Sequence, residues 1–200
     1  MKPLDQLRQL LPTRRLTRTE AFILAEKQAT RLLKLRGVTE APVPSTAISR
    51  LSFMKVAVRA PMASSGATQW IKPRWVVLLN GMEPVVRQRF SLAHEFKHIL
   101  DHQRAGRLYG RSTSPSHHRD VEQLCDFFAA CVLMPRPWVK AAYVSGVQDV
   151  VALAELFEVS PQAMQVRLLQ LGLIDPYARC SGMDNAYLRS APVSPFELAA

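Results

Sequence analysis

The sequence predicts an α+β domain, and three observations carry that expectation. Apolar residues recur at helical spacing near the amino terminus and again across residues 85–103. Two runs in between, Phe53–Val58 and Trp75–Asn80, have the alternating or continuously apolar character of strands. Helical patterns then resume through the second half of the chain. Two hundred residues at 48% hydrophobic suit one compact domain with a small appendage, enough to bury a core.

Residues 1–16 are rich in arginine and short on periodicity, which places them loosely on the surface as a flexible N-terminus. Thr17-Arg18-Thr19-Glu20 reads as a capping box. It opens a helix whose Phe22, Ala25, Ala29, Leu32 and Leu33 form one apolar stripe and which Gly37 stops. Pro42 and Pro44 make a break, with Ser45 as cap of a helix of one to two turns through Ile48 and Leu51. Phe53–Val58 is the first strand. Residues 60–69 are small and polar and read as a turn or flap. Trp70-Ile71 and Trp75–Asn80 supply the remaining strands of a short, mostly antiparallel sheet. Asn80-Gly81 is a turn signal, and a helix follows from about Val85 to Gln103. Arg104 to Arg119 reads as a loop holding four arginines, two glycines and the pair His117-His118. Asp120 to Pro135 carries a second long helix. Residues 148–157 form another; Val159-Ser160 turn the chain, and Pro161 starts a last helix that ends at Gly172. That pair resembles a helix-turn-helix. The expected organisation is a flexible 1–16, a main domain over 17–144, the helical pair over 145–175, and a neutral, proline-containing tail over 176–200.

The chemistry concentrates in His94-Glu95-Phe96-Lys97-His98, an H-E-x-x-H pentapeptide in helix-forming sequence. On a helix, positions i and i+4 share a face about 6 Å apart along the axis. His94 and His98 can therefore address one ion, while Glu95, about 100° round, can serve as general base toward a water. Ring nitrogens and a carboxylate in so apolar a helix need partners, and a metal supplies them. The first reading is a zinc hydrolase. A catalytic zinc takes three protein ligands and keeps a position for water. His102 is the nearest third histidine, but a helix puts it about 12 Å from His94 along the axis. A carboxylate from the following helix remains. Glu122 and Asp126, again i and i+4, face one way while Leu124, Phe127, Phe128, Cys131 and Val132 cover the rest. Glu122 is the expected third ligand. Asp126, one turn on, is expected to accept the outer N–H of a ligand histidine.

Phe90-Ser-Leu-Ala-His-Glu-Phe-Lys-His98, followed by Glu122-x-x-x-Asp126-x-Phe-Ala-Ala-x-x-Leu-Met-Pro135, resembles the ImmA/IrrE family of metallo-endopeptidases over roughly residues 20–175. The resemblance implies a small zincin-like peptidase fold of the gluzincin type, with two histidines and a downstream glutamate on Zn2+ and the motif glutamate as base. It also implies a narrow protein substrate: a helix-turn-helix transcriptional repressor from a mobile element, toxin–antitoxin pair or stress regulon, whose cleavage releases repressed genes. Lys97 stands where the family commonly has glycine, Phe96 where leucine is common and Cys125 where alanine is usual. Lys97 is expected to bring a cation near the site.

Cysteine usage and charge narrow the remaining classes. Cys125, Cys131 and Cys180 form no C-x-x-C pair, and their odd number argues against a disulfide framework. Cys125 and Cys131 read as small apolar core residues, with a soft metal or redox role as the competing reading. Residues 1–15 lack the apolar core of a signal peptide, and no run approaches the roughly 20 apolar residues of a membrane span, so a cytoplasmic location is expected. The net charge is +10, compatible with an acidic partner or a repressor seated on DNA. Residues 145–175, however, hold one arginine against Asp149, Glu155, Glu158 and Asp175. DNA affinity depends on cations at phosphates, so packing or recognition of a partner protein is favoured there over direct DNA binding. His117 or His118 is a candidate oxyanion donor or simply part of a solvated basic loop. Two other classes compete: a DNA-binding regulator with a non-catalytic metal site, and an immunity or antitoxin protein acting by binding alone.

Overall fold

The computed structural model describes residues 3–110 and 114–175. The 176–200 tail, Cys180 and Arg111 lie outside the described residues. The first helix, α1 (Pro3–Arg8), overturns the expected loose N-terminus over its span. Leu7 is fully buried, and the Arg8 guanidinium donates to the carbonyls of Ile99 (2.8 Å) and Leu100 (3.1 Å). Those carbonyls belong to the last turn of a later helix, where cations complement orphan acceptors. Six residues are too few to show helical periodicity in the sequence.

Helix α2 (Arg18–Arg36) begins where the capping box placed it: Thr17 Oγ accepts from the Glu20 N–H, and Glu20 accepts from the Thr17 N–H. Gly37 ends it at φ 65°, the left-handed conformation that favours glycine. A single turn, α3 (Thr46–Ser49), follows, with no side-chain cap from Ser45.

The sheet has three strands, β1 (Met54–Arg59), β2 (Gly66–Ile71) and β3 (Arg74–Asn80), in the order β1-β3-β2. β1 runs parallel to β3 and β2 antiparallel to it, so the two ladders are of opposite kinds rather than mostly antiparallel. Four of the ten residues of the expected 60–69 flap are strand. Gly66, Ala67, Thr68 and Gln69 pair with Leu79, Leu78, Val77 and Val76. An edge strand needs backbone partners on one side only, so it forms without the apolar side chains that mark β3. Trp75, Val77 and Leu79 alternate along β3 and are buried against the helices. The register puts Gly66 and Thr68 on that same face.

Helix α4 (Val85–Asp101) lies under β2 and β3 with Ala93, Phe96, Ile99 and Leu100 fully buried. A short α5 (Ala105–Leu108) occupies part of the expected loop. Helix α6 (Pro115–Leu133) packs across both α4 and α2, and Phe22 meets Phe127 at 4.8 Å between ring centroids. It starts earlier than expected because Ser114 caps the His117 N–H and Pro115 fills the first helical position. His117 and His118 are therefore helical, not loop, residues. Helix α7 (Arg136–Val144) was not anticipated; it buries Val139.

The helical pair is present as α8 (Val150–Phe157) and α9 (Pro161–Gln170). It is joined to the rest by two buried arginines. Arg89 of α4 donates to the carbonyls of Val43 (2.9 Å) and Glu158 (3.1 Å) and pairs with the Glu158 carboxylate at 2.9 Å. Arg167 of α9 donates to the Met134 carbonyl at 3.0 Å. Among the described residues no helix is long and apolar enough to cross a membrane.

Candidate metal centre

α4 and α6 cross so that one face of each meets the other, and the residues singled out by spacing converge there. His94 Nε2 lies 3.1 Å from His98 Nε2 and 3.2 Å from Glu122 Oε2; His98 Nε2 lies 3.5 Å from Glu122 Oε1. These separations match the edges of a tetrahedron about a zinc-sized ion, since metal–ligand distances of about 2.0–2.1 Å give edges of about 3.3 Å. The donor chemistry agrees. His94 Nδ1 faces Asp126 Oδ1 at 2.7 Å. A carboxylate accepts only, so the ring proton belongs on Nδ1 and the Nε2 lone pair points inward.

The electrostatics of the two imidazoles differ. Burial is the largest influence on His94 and lowers its pKa, but the Asp126 hydrogen bond and the charges of Asp126, Glu122 and Glu95 outweigh it, leaving a net rise. For His98, burial and then the neighbouring His94 prevail, and the pKa falls. Two imidazole nitrogens 3.1 Å apart beside a carboxylate call for a positive charge between them.

Cys125 complicates the donor set. His94, His98 and Cys125 also offer ligand atoms within 4.8 Å of one another. The thiol, however, contacts His98 through the outer nitrogen, Sγ to Nδ1 at 3.8 Å, on the far side of the ring from the Nε2 that faces His94 and Glu122. Burial also pushes the Cys125 thiol far above its usual range. His94, His98 and Glu122 are the set whose donor atoms share one point. Cys125 is buried as the sequence implied, yet it also touches a site histidine, which spacing alone did not show. Cys131 is likewise buried, its thiol pushed up to about 12 by that burial, so neither has the character of a reactive thiolate.

Lys97 does not face the site, contrary to expectation. Its ammonium is fully buried on the other flank of α4, within 2.8 Å of the Asp101 carboxylate, 2.9 Å of Gln28 Oε1 and 3.3 Å of the Tyr109 hydroxyl. An unpaired cation could not be buried there, and Asp101, one turn on, supplies the counter-charge. His102 sits at the end of α4 with its ring edge-on to Trp75, 4.6 Å between centroids. His118 is exposed, with Nε2 4.0 Å from Glu122 Oε1.

Glu95 projects toward the sheet. Its Oε2 accepts a hydrogen bond from Thr68 Oγ1 at 2.6 Å. Gly66 lies against the same side chain: a Cβ there would come within 3.0 Å of Glu95 Cγ and 3.1 Å of Oε1. Neither residue was singled out by sequence reasoning. The strand register that brings them under α4 is the signal that would have found them.

A family model, Peptidase_M78, described as the IrrE N-terminal-like domain, matches residues 38–169. The chain belongs to this family. Membership supports a peptidase and the small zincin-like α+β fold. No curated protein matches the sequence. Among solved structures, a Mycobacterium tuberculosis transcriptional regulator is similar in fold, with a TM-score of 0.58 at 14% identity. The match covers 84% of this chain but only 52% of that one, so this IrrE-like chain spans about half the length of the regulator.

Proposed function

We propose that this protein is a zinc-dependent endopeptidase that cuts a specific protein. The observation that carries the reading is the convergence of His94 Nε2, His98 Nε2 and the Glu122 carboxylate within 3.1–3.5 Å of one another, with Glu95 next to His94 in the chain. His94, His98 and Glu122 would hold the ion, with Asp126 fixing the His94 tautomer. A zinc bound there would supply polarisation of a scissile carbonyl and would lower the pKa of a water toward 7. Glu95 takes the water's proton and passes it to the leaving amine. The substrate we favour is a helix-turn-helix transcriptional repressor, cleaved to relieve repression in a mobile element, a toxin–antitoxin pair or a stress response, with the reaction taking place in the cytoplasm.

The competing reading is a DNA-binding regulator; the structurally similar mycobacterial protein is described as a transcriptional regulator. The helical pair speaks against it. Its one arginine, Arg167, is 1% exposed and spent on the Met134 carbonyl, leaving no cation for a phosphate. The test is metal analysis followed by incubation with the helix-turn-helix repressor encoded beside the gene. One equivalent of zinc and discrete cleavage, abolished by Glu95→Gln with zinc retained, is expected. Sequence-selective DNA binding indifferent to Glu95→Gln, with no cleavage, would overturn the proposal.

A further inference from the structure

We infer that Thr68, on the edge strand β2, is a positioning residue for the Glu95 carboxylate, and that Gly66 is required as glycine to leave that carboxylate its place. The inference rests on the peptidase reading above and extends it to residues outside the helix that bears the motif. A general base works only if the receiving oxygen is held toward the water, and a glutamate has three rotatable torsions to lose. In this chain the restraint comes from the sheet. Thr68 Oγ1 donates to Oε2 at 2.6 Å, a short bond of the kind a hydroxyl makes to a charged acceptor. With Oε2 engaged, Oε1 is the oxygen left to receive a proton. Gly66, two residues back on the same face of β2, approaches Cγ and Oε1 so closely that an added Cβ would sit 3.0–3.1 Å from them. Its φ is not in the left-handed region, so the requirement is for space and not for an unusual backbone. Thr68 is itself held by the ladder opposite Val77, whose side chain is fully buried. The two contacts bracket Glu95 between a donor and a bare backbone, the support a catalytic group needs to keep its geometry.

The experiment uses the full chain loaded with zinc and compares Thr68→Val, which keeps the shape and removes the donor, with Thr68→Ser, which restores it. Cleavage of the neighbouring helix-turn-helix repressor is read as kcat and KM separately, with zinc affinity measured by chelator competition. Crystal structures of the metal-free variants locate the Glu95 carboxylate. Thr68→Val is expected to lower kcat by about 10- to 100-fold, the range for a displaced catalytic group. KM and zinc affinity should change by less than twofold, Thr68→Ser should restore most of the rate, and Glu95 should swing away in the valine variant alone of these two. Gly66→Ala should displace Glu95 in the same way. A kcat for Thr68→Val within twofold of the unaltered protein, or failure of serine to rescue, would overturn the inference. Should the zinc-loaded protein cleave no repressor at all, the peptidase reading fails first. The crystallographic comparison then decides the role of Thr68, and an unmoved Glu95 in Thr68→Val refutes it.

Discussion

Replacing Asp101 with asparagine tests whether the charge buried beneath the motif helix is held as the structure shows. The Lys97 ammonium is 0% exposed and has three neighbours: Asp101, Gln28 and Tyr109. Only Asp101 is a counter-charge, and its Oδ2, 2.8 Å from the ammonium, also accepts a hydrogen bond from the Tyr109 hydroxyl at 2.7 Å. Burial first, and then the charge and hydrogen bond of Asp101, hold that hydroxyl protonated well above the ordinary phenol range. The asparagine side chain keeps the shape and one acceptor but removes the charge. Stranding one member of a buried pair costs about 3–5 kcal/mol. Because Gln28 and Tyr109 still solvate the ammonium, the loss belongs near the lower end, about 3 kcal/mol. For a chain of this size each kcal/mol is worth about 2–4 °C, so Tm should fall by roughly 6–12 °C. The assay is urea and thermal unfolding followed by circular dichroism. The double variant Lys97→Met/Asp101→Leu should recover most of the loss, because apolar replacement of a buried pair is commonly neutral or better. Zinc affinity should stay within twofold for Asp101→Asn, since this cluster faces away from the two histidines. A destabilisation below about 1 kcal/mol would refute the sealed ion pair.

The site and the caps carry four further expectations. Asp126→Ala should weaken zinc binding about 10-fold, the low end of the usual 10- to 100-fold range, because the carboxylate is 58% exposed; unchanged affinity by chelator competition would free Asp126 from its role. Cys125→Ala should retain one zinc per chain by elemental analysis, whereas loss of the metal would make the thiol a ligand in place of Glu122. Thr17→Ala should cost about 1 kcal/mol in urea unfolding through loss of the cap, and no loss would show that the reciprocal bonds do not persist in solution. The Arg14 hydrogen bond and then the Thr17 N–H hold the Glu20 carboxyl down at about 2. A depressed carboxylate stabilises the fold above its unfolded pKa of about 4.3 and loses that contribution as pH falls toward 2. The stability gap between the unaltered protein and Glu20→Gln should therefore close between about pH 4.3 and about pH 2, and a pH-independent gap would contradict the ion pair.

What could be seen in the sequence divides along the range of the interaction. Caps are local, so Thr17, Gly37 and Pro161 placed helix ends correctly. The i,i+4 spacings of His94/His98 and of Glu122/Asp126 were legible because a helix converts sequence distance into direction. That the two pairs would meet came from arguing which donor was missing. The misses needed the third dimension or overlooked a local signal. Thr68 acquires its place only through strand register, and the direction of Lys97 depends on Gln28 and Tyr109, residues from elsewhere in the chain. Arg8 is recruited by the far end of α4. The start of α6 is marked by Ser114-Pro115, but the surrounding arginines give that stretch the composition of a loop.

Arg89 ties the last two helices to the helix that carries the histidines. Its guanidinium is 8% exposed and reaches the backbone at Val43, Phe157 and Glu158, joining three distant parts of the chain through one side chain. A fragment ending ahead of residue 145 would strip away Phe157 and Glu158 and leave this cation, one turn before His94, without two backbone acceptors and its carboxylate partner. Engineering that treats the terminal helices as a detachable module should therefore unsettle the motif helix itself.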